Sequence, residues 1–322
     1  MKLFKVLDPY ILMLLGMVLL ASILPVRGEA AVMAEWTKDA AIVLLFFLHG
    51  AKLSRESIWA GMKAWKVHAL VFATTFAVFP LLGLGLRAAL GPIMDPMMLS
   101  GLLFLCLLPS TVQSSIAFTA IAKGNVAAAV CSASVSNILG ILITPMLVAL
   151  LMGQAAGGVS LDAISSIALQ LLLPFIVGHL LRPVLKGVLD RHKTLVGRVD
   201  RGSILLVVYT AFSASVVEGL WSKVGLGDLT LMFVAGAALL AAVMGFTWWA
   251  SGRAGLSRED RVVVLFCGSK KSLASGVPMA GTLFPPAVLG PVLLPVMLFH
   301  QLQLIVCAFL APKLKGEDIE NP

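Results

Sequence analysis

Apolar residues run along this chain in long blocks, not in the short alternations of strands. Blocks near 9–26, 37–53, 64–86, 97–122 and 125–152 are followed by a second set near 161–181, 200–221, 227–251, 260–284 and 290–311. Each is close to the roughly 20 residues that a helix needs to cross a bilayer. Ten such blocks leave no stretch for a soluble domain of useful size. The pattern predicts an all-α polytopic membrane protein of ten transmembrane helices.

Composition points the same way. The 322 residues are 59% apolar and only 12% charged, with a mean hydropathy of +1.00. A soluble domain carries about 25% charged residues. Four cysteines are too few for a disulfide scaffold, and the hydrophobicity excludes disorder. A net charge of +8 could suggest a nucleic-acid partner, but its distribution suggests a lipid bilayer instead. With the N-terminus in the cytoplasm, eighteen basic residues fall on the inner side: Lys2, Lys5, Lys52, Arg55, Lys63, Lys66, Lys123, Arg182, Lys186, Arg191, Lys193, Arg198, Arg201, Arg253, Arg258, Arg261, Lys313 and Lys315. Four fall outside: Arg27, Lys38, Arg87 and Lys223. That asymmetry is what the positive-inside rule requires. It places the protein in the cytoplasmic (inner) membrane, multi-pass, with both termini cytoplasmic. Lys2 and Lys5 before an apolar run, with Ala30 and Ala31 beyond it, also resemble a signal peptide; the length of the run favours a first span. The basic loop expected around 182–201 reads as an orientation signal, with anionic lipid headgroups as a second use.

Splitting the chain near Gly157 gives five spans on each side. Two odd-numbered halves of similar fold must have opposite orientations, the inverted-repeat plan of many secondary transporters. The expected organisation is therefore a first repeat over 1–156 and a second over 157–322. The fourth span of each half is interrupted. One break is Pro109-Ser110-Thr111-Val112-Gln113-Ser114-Ser115, where proline removes a helical hydrogen bond and hydroxyls can take the freed carbonyls. The other is Cys267-Gly268-Ser269-Lys270-Lys271-Ser272, followed by Gly276 and Pro278. Serine, glycine and proline also serve as packing and kink residues in membrane helices, but two breaks at equivalent positions favour a site.

Lys270 and Lys271 are the basic residues left over from the interface count. A charge at mid-membrane costs about 2.5–3.5 kcal/mol on insertion scales, so it needs a role or a partner. No carboxylate lies at a comparable depth; Glu218, near the outer end of the seventh span, comes nearest. Either a lysine attracts an anionic substrate or replaces a bound metal ion, or it snorkels along a short half-helix to water. Neighbouring helical residues point about 100° apart, so one lysine is expected to face the site and the other to tolerate replacement. His49, His68, His179 and His300 lack the spacing of a zinc motif, and Cys106, Cys131, Cys267 and Cys307 read as small apolar fillers. Six tryptophans fall near interfaces.

At its two breaks the chain resembles the bile acid:sodium symporter family, and within it the bile-acid-symporter-like branch. The most specific stretch runs from Pro109 through Ala122-Lys123-Gly124-Asn125 to Thr144-Pro145, with echoes at Thr75-Phe76-Ala77-Val78-Phe79-Pro80 and Phe299-His300-Gln301. The resemblance implies a panel domain of helices 1, 2, 6 and 7 and a core domain of helices 3, 4, 5, 8, 9 and 10, with helices 4 and 9 crossing at their unwound centres. It also implies two sodium sites behind the crossing. Carried over by position, one would use Ser114 and Ser115 as a residual metal site. The hydroxyl ligands of the fifth span fall at Ala129 and Ala133, with Ser132, Ser136 and Asn137 nearby. The acidic ligand of the ninth span falls at Phe266, its glutamine at Lys270, and a further glutamine at Thr75. A carboxylate is missing, and a cation stands among the expected ligands.

The expected function is secondary active, symporter-like transport of a small organic anion by alternating access, with sodium coupling weakened or replaced by a core lysine. Candidate binding residues are Thr75, Ser110, Thr111, Gln113, Ser114, Ser115, Ser132, Ser136, Asn137, Ser269, Lys270, Lys271, Ser272, His300 and Gln301. No organic cofactor is implied; sodium or a proton is the candidate coupling ion. The alternatives are a cation/proton exchanger of related fold and a non-transporting regulatory membrane protein. No enzyme is expected, because no catalytic motif appears. The topology is testable with single cysteines and an impermeant maleimide on intact cells. A cysteine replacing Asp190 should stay protected, and cysteines replacing Gly157 or Ala287 should label; labelling at 190 from outside would overturn the ten-span arrangement.

Overall fold

The structure, a computed structural model, describes residues 9–53, 61, 63–153 and 161–315. Among them every regular element is a helix: α1 (Pro9–Ile23), α2 (Glu29–Lys52), α3 (Trp65–Leu90), α4 (Pro96–Leu107), α5 (Gln113–Ile121), α6 (Val126–Met152), α7 (Leu161–Arg191), α8 (Lys193–Val217), α9 (Leu226–Arg253), α10 (Arg258–Gly268), α11 (Leu273–Leu283) and α12 (Pro286–Lys313). A single helical turn, Leu220–Lys223, joins α8 to α9. Six of these elements (α3, α6, the stretch Leu169–Arg191 of α7, α8, α9 and α12) are long and apolar enough to cross a bilayer unaided. The protein is thus an all-helical, polytopic membrane protein.

The remaining blocks fall short for identifiable reasons. The first yields only the 15 residues of α1. In α2 the apolar stretch follows about three turns that carry Glu29, Glu35, Lys38 and Asp39. The fourth and ninth blocks are each cut into two half-helices. The cuts and their restarts have local causes. Asp95 Oδ1 accepts from the backbone N–H of Met97 and Met98 at 2.9 and 3.2 Å, with Pro96 at the first helical position, and so starts α4. Ser257 starts α10 by accepting from Asp260 N at 3.2 Å. Ser272 restarts α11 by accepting from Ser275 N at 3.1 Å. In α3, Thr74–Val78 is a π-turn just ahead of Pro80, the usual relief for a proline that cannot bond back.

The basic stretch at 182–201 departs from expectation. It is not a loop. α7 runs through Pro183 to Arg191 and α8 begins at Lys193, so only His192 separates them. Leucine, lysine and arginine are good helix formers, and the two helices continue past the apolar stretch as charged ends.

Two glycines set the closest helix contact. A Cβ on Gly50 of α2 would lie 1.9 Å from the Phe175 carbonyl oxygen of α7, and a Cβ on Gly178 would lie 2.0 Å from that of Phe47. The backbones touch reciprocally, as small residues allow in membranes. A second tie joins the chain's two halves. Asn125 Nδ2 donates to Asp260 Oδ1 at 2.9 Å, Asn125 N donates to the Glu259 carbonyl at 3.2 Å, and Arg258 Nη2 donates to the carbonyls of Ala122 (2.8 Å) and Leu314. Lys123 makes the turn with a φ of 53°. The Ala122–Asn125 stretch is therefore a clasp between the start of α6 and the start of α10.

Replacing Gly178 with leucine should force α2 and α7 apart. Overpacking costs about 1–3 kcal/mol and more against backbone, or roughly 5 °C or more in unfolding midpoint. Gly245→Ala, with nothing within 4 Å of its Cβ, should move the midpoint by no more than about 1 °C in the same detergent. Equal shifts would show that the contact does not hold the helices.

Candidate functional site

The two breaks meet. Ser272 N of the second donates to the Pro109 carbonyl of the first at 2.9 Å. Ser110 Oγ donates to the Cys267 carbonyl at 2.6 Å, and Ser115 Oγ to the Phe266 carbonyl at 3.0 Å. Helix α6 closes the back of this crossing. Asn137 Nδ2 donates to the Ser110 carbonyl at 2.6 Å, Ser136 Oγ accepts from Ser110 N at 3.1 Å, and Thr144 Oγ1 donates to the Leu107 carbonyl at 2.8 Å. Ser275 Oγ, in the first turn of α11, donates to Asn137 Oδ1 at 2.5 Å. Gly140 permits the approach: a Cβ there would meet the Pro109 ring at 2.6 Å.

Both lysines are sealed inside, Lys270 at 0% and Lys271 at 1% exposure, so neither snorkels. They point apart, as their neighbouring positions require. Lys271 Nζ donates to three carbonyls: Leu108 at 2.7 Å, and Thr75 and Cys106 at 2.9 Å each. It also lies 4.0 Å from the centre of the Phe79 ring. Three N–H donors meet three acceptors, so this ammonium is fully satisfied. Its partners are the carbonyls that the end of α4 and the π-turn of α3 cannot pair within a helix. Gln303 fixes the lysine's backbone, accepting from Lys271 N and donating to the Lys271 carbonyl, both at 2.9 Å. The end of α4 thus closes on Lys271.

Lys270 is held less completely. Its Nζ donates to Ser114 Oγ at 3.1 Å and faces the rings of Phe118 at 4.5 Å and Phe266 at 5.9 Å. Thr111 Oγ1 links the set, at 3.0 Å from Ser114 Oγ and 2.8 Å from Ser115 Oγ. Sodium needs several oxygens, and the position expected to supply them does not. Phe266 offers a ring, Ala129 and Ala133 offer methyl groups, Ser115 Oγ is spent on the Phe266 carbonyl, and Ser114 carries an ammonium. Among the described residues no cluster of His, Cys, Asp and Glu could hold a metal ion. The ligand set does not fit sodium there.

Most of the residues singled out from the sequence converge here: Ser110, Thr111, Ser114, Ser115, Ser136, Asn137, Lys270, Lys271 and Ser272 by side chain, and Thr75 by its carbonyl. Ser269 does not, since its hydroxyl turns back to the Leu265 carbonyl at 2.6 Å. Ser132 faces His68 Nδ1 at 2.7 Å, away from the crossing. Gln301 makes no bond there: both of its buried side-chain polar atoms lack a hydrogen-bond partner. His300 lies 2.9 Å from Gln303 Nε2. Gln303 and Ser275 were missed by the sequence reading. The i, i+3 spacing of His300 and Gln303 on one helix face was the available signal.

A cavity of about 940 Å³ reaches the crossing from one side. Thr111, Gln113, Ser114, Asn137, Ser275 and His300 line its floor. Phe46, Ile138, Ile141, Phe175 and Ile204 line its walls, and the charged ends of α2, α7 and α8 form its mouth. Neither lysine of the break lines it; Lys270 lies directly behind Ser114.

The lysines therefore make separable predictions. Lys271→Met strands three carbonyls, each costing about 1–3 kcal/mol when buried unpaired, and should lower the unfolding midpoint in detergent by many degrees. Lys270→Met removes a poorly partnered charge of similar volume and should leave the midpoint unchanged or raise it. The opposite order would show that the carbonyl cage is not what holds α4.

Similarity to other proteins extends over almost the whole chain. The SBF-like CPA transporter family matches residues 8–316. An uncharacterized protein of Pseudomonas aeruginosa is 55% identical over 307 residues, 95% of this chain and 92% of its own. The candidate symporter YfeH of Escherichia coli is 52% identical over 318 residues, 98% of this chain and 96% of its own. Sodium/bile acid cotransporter 7 of Danio rerio is 28% identical over 279 residues, 85% and 83% of the two chains. A chain with this crossing, matched over nearly its whole length, belongs to the SBF-like CPA transporter family.

Proposed function

We propose that this protein is a secondary transporter that moves a small organic anion across the cytoplasmic membrane by alternating access, with Lys270 in the place of a coupling sodium ion. The observation that carries the proposal is the Lys270–Ser114 contact of 3.1 Å, which puts an ammonium where the sodium-coupled relatives resembled here would need an ion. An internal cation can offset the charge deficit of the two broken helices without a bound metal. The anion itself is met on the cavity side, where α5 and α11 begin. Their first N–H groups and the positive ends of their dipoles face the floor hydroxyls.

The finer architecture belongs to the same reading. Ten spans form two inverted repeats, 1–156 and 157–322. Helices 1, 2, 6 and 7 form a panel against which the core moves, and both termini lie in the cytoplasm. The pairing of Ser110 with Cys267 and of Ser272 with Pro109 supports a crossing of equivalent breaks. The basic mouth of the cavity supports an inward-open state under the positive-inside rule. Ser215 Oγ accepts from Gly290 N at 2.8 Å and supports a closed outer side, because it joins the outer end of α8 to that of α12.

Two measurements test this. Counterflow of candidate organic anions into proteoliposomes should show saturable exchange, and its absence for every anion would favour a non-transporting protein. Replacing sodium with potassium at equal ionic strength should leave the unfolding midpoint unchanged. A saturable sodium-specific rise, following RT ln(1 + [L]/Kd), would restore sodium as the coupling ion.

A further inference from the structure

A tight turn joins α9 to α10, and a glycine fixes its shape. Gly255 has a φ of 67°. Its N–H donates to the Gly252 carbonyl at 3.1 Å, and Leu256 N donates to the Ser251 carbonyl at 3.2 Å, the paired bonds that a left-handed glycine permits at a helix end. The turn folds α10 back along the last turns of α9, so that Arg261 lands on Trp248. Its Cζ lies 4.0 Å from the centre of the indole, and its Nη2 donates to the Trp248 carbonyl at 3.3 Å. Gly252, one turn beyond Trp248, leaves the room: a Cβ there would lie 3.3 Å from the same Nη2. On the adjoining face of α9, Arg253 Cζ lies 5.5 Å from the centre of the Trp249 ring, and Trp249 is 57% exposed. The start of α3 lies against α10, where Val67 and Val71 pack with Val263 and Val264. It brings a third pair, Lys66 Nζ at 6.0 Å over Trp65, a ring 67% exposed.

The protein's own carboxylates do not use these cations. Glu259 lies 3.7 Å from Arg258, and Asp260 accepts from Asn125. Arg258 in turn is spent on the carbonyls of Ala122 and Leu314. Among the described residues, Arg253, Arg261 and Lys66 form no ion pair, and Arg261 Nε is buried without a hydrogen-bond partner. Depth adds a second constraint. Both α3 and α9 are long enough to cross a bilayer. Their indoles sit on the first turn of one and the last two turns of the other, the level at which tryptophan meets lipid headgroups. A guanidinium stacked on an indole keeps its N–H edge free, and that edge matches two oxygens of one phosphate.

We propose that this end of the bundle binds an anionic phospholipid. Arg253 and Arg261 take its phosphate, Lys66 adds charge, and its acyl chains lie over Trp249. The rings decide between the two sources of a phosphate. A free phosphate ion gains nothing from an indole at the hydrocarbon boundary, whereas a lipid covers the ring and meets the cations with one molecule. The charge decides between lipids, because the choline of a zwitterionic headgroup would bring a further cation to a patch that already holds three. None of these residues lines the cavity, so the site is independent of whatever the protein carries.

The test is the unfolding midpoint of the full-length protein in a neutral maltoside detergent, titrated with dioleoyl-phosphatidylglycerol, with dioleoyl-phosphatidylcholine and with inorganic phosphate. A ligand that binds the native state raises the midpoint saturably. Phosphatidylglycerol should do so, and the other two should not. Arg253→Gln combined with Arg261→Gln should weaken the apparent affinity about tenfold or more. Should the double variant fail to fold, Arg253→Gln alone carries the test, with a loss of about fivefold, because that side chain touches only an indole face. Lys186→Gln combined with Arg198→Gln removes two charges elsewhere and should leave the affinity unchanged. An equal response to phosphatidylcholine, or a phosphatidylglycerol affinity untouched by Arg253→Gln, would overturn the site. Equal weakening by the Lys186 and Arg198 pair would do the same, since the attraction would then belong to the basic surface in general. Saturable stabilisation by inorganic phosphate, lost in the Arg253 variant, would make the free ion the occupant and refute the lipid.

Discussion

Lipid offers no hydrogen bonds, so a helix broken inside a bilayer must have its freed N–H and C=O groups satisfied by other protein groups. The centre of this protein is organised by that requirement. Each break leaves carbonyls at the end of one half-helix and N–H groups at the start of the next. The first break uses a lysine for its carbonyls: those of Cys106 and Leu108 converge on Lys271 Nζ, together with the Thr75 carbonyl from the π-turn of α3. The second break uses hydroxyls from the first, with Ser110 and Ser115 donating to Cys267 and Phe266. The solution is reciprocal, and it explains why the two breaks must lie against each other rather than merely occur in the same membrane.

The two adjacent lysines consequently do different work although both are buried. Lys271 has three good acceptors and a ring, so its desolvation is offset where it sits. Lys270 has one hydroxyl and two rings, a weaker environment for a full charge. A poorly satisfied cation at a moving interface is the group whose environment a conformational change can alter most. The well-satisfied one belongs to the static frame. The clasp of Asn125, Arg258 and Asp260 extends that frame away from the crossing, tying the turn before α6 to the start of α10 and to the end of α12.

Much of this was legible in the sequence. Long apolar blocks gave the class, Pro109 and Gly268 gave the positions of the breaks, and the lysines stood out because nothing else explained a charge at that depth. What stayed hidden has a common cause. The partners of Lys271 are backbone carbonyls, which no side-chain pattern announces. Asn125 looked like part of a family motif because its use, a bond to Asp260 some 135 positions away, is set by the fold. The charge of the 182–201 stretch reads as a loop, yet hydropathy marks where a helix leaves the lipid, not where it stops. Ser132 and Ser269 fell beside the right positions and turned to other partners, since a small hydroxyl bonds whatever carbonyl or ring nitrogen is nearest.

In the proposed alternating-access cycle, the distribution of charge along the cavity is tied to this frame. A rim of full charges, apolar walls and a floor of neutral dipoles form a gradient that holds a charged ligand most strongly where it meets water and progressively less toward the crossing. A transport path must bind tightly enough to capture and loosely enough to release. A free cation on the floor would make the floor a trap. Keeping Lys270 one hydroxyl behind it, bonded to Ser114, lends positive potential to the floor without a direct ion pair that the ligand would have to break before leaving. The same hydroxyl thus reports to the cavity on one side and to the buried charge on the other. In the proposed cycle, Ser114 is the group through which occupancy of the cavity and the state of the core would be coupled.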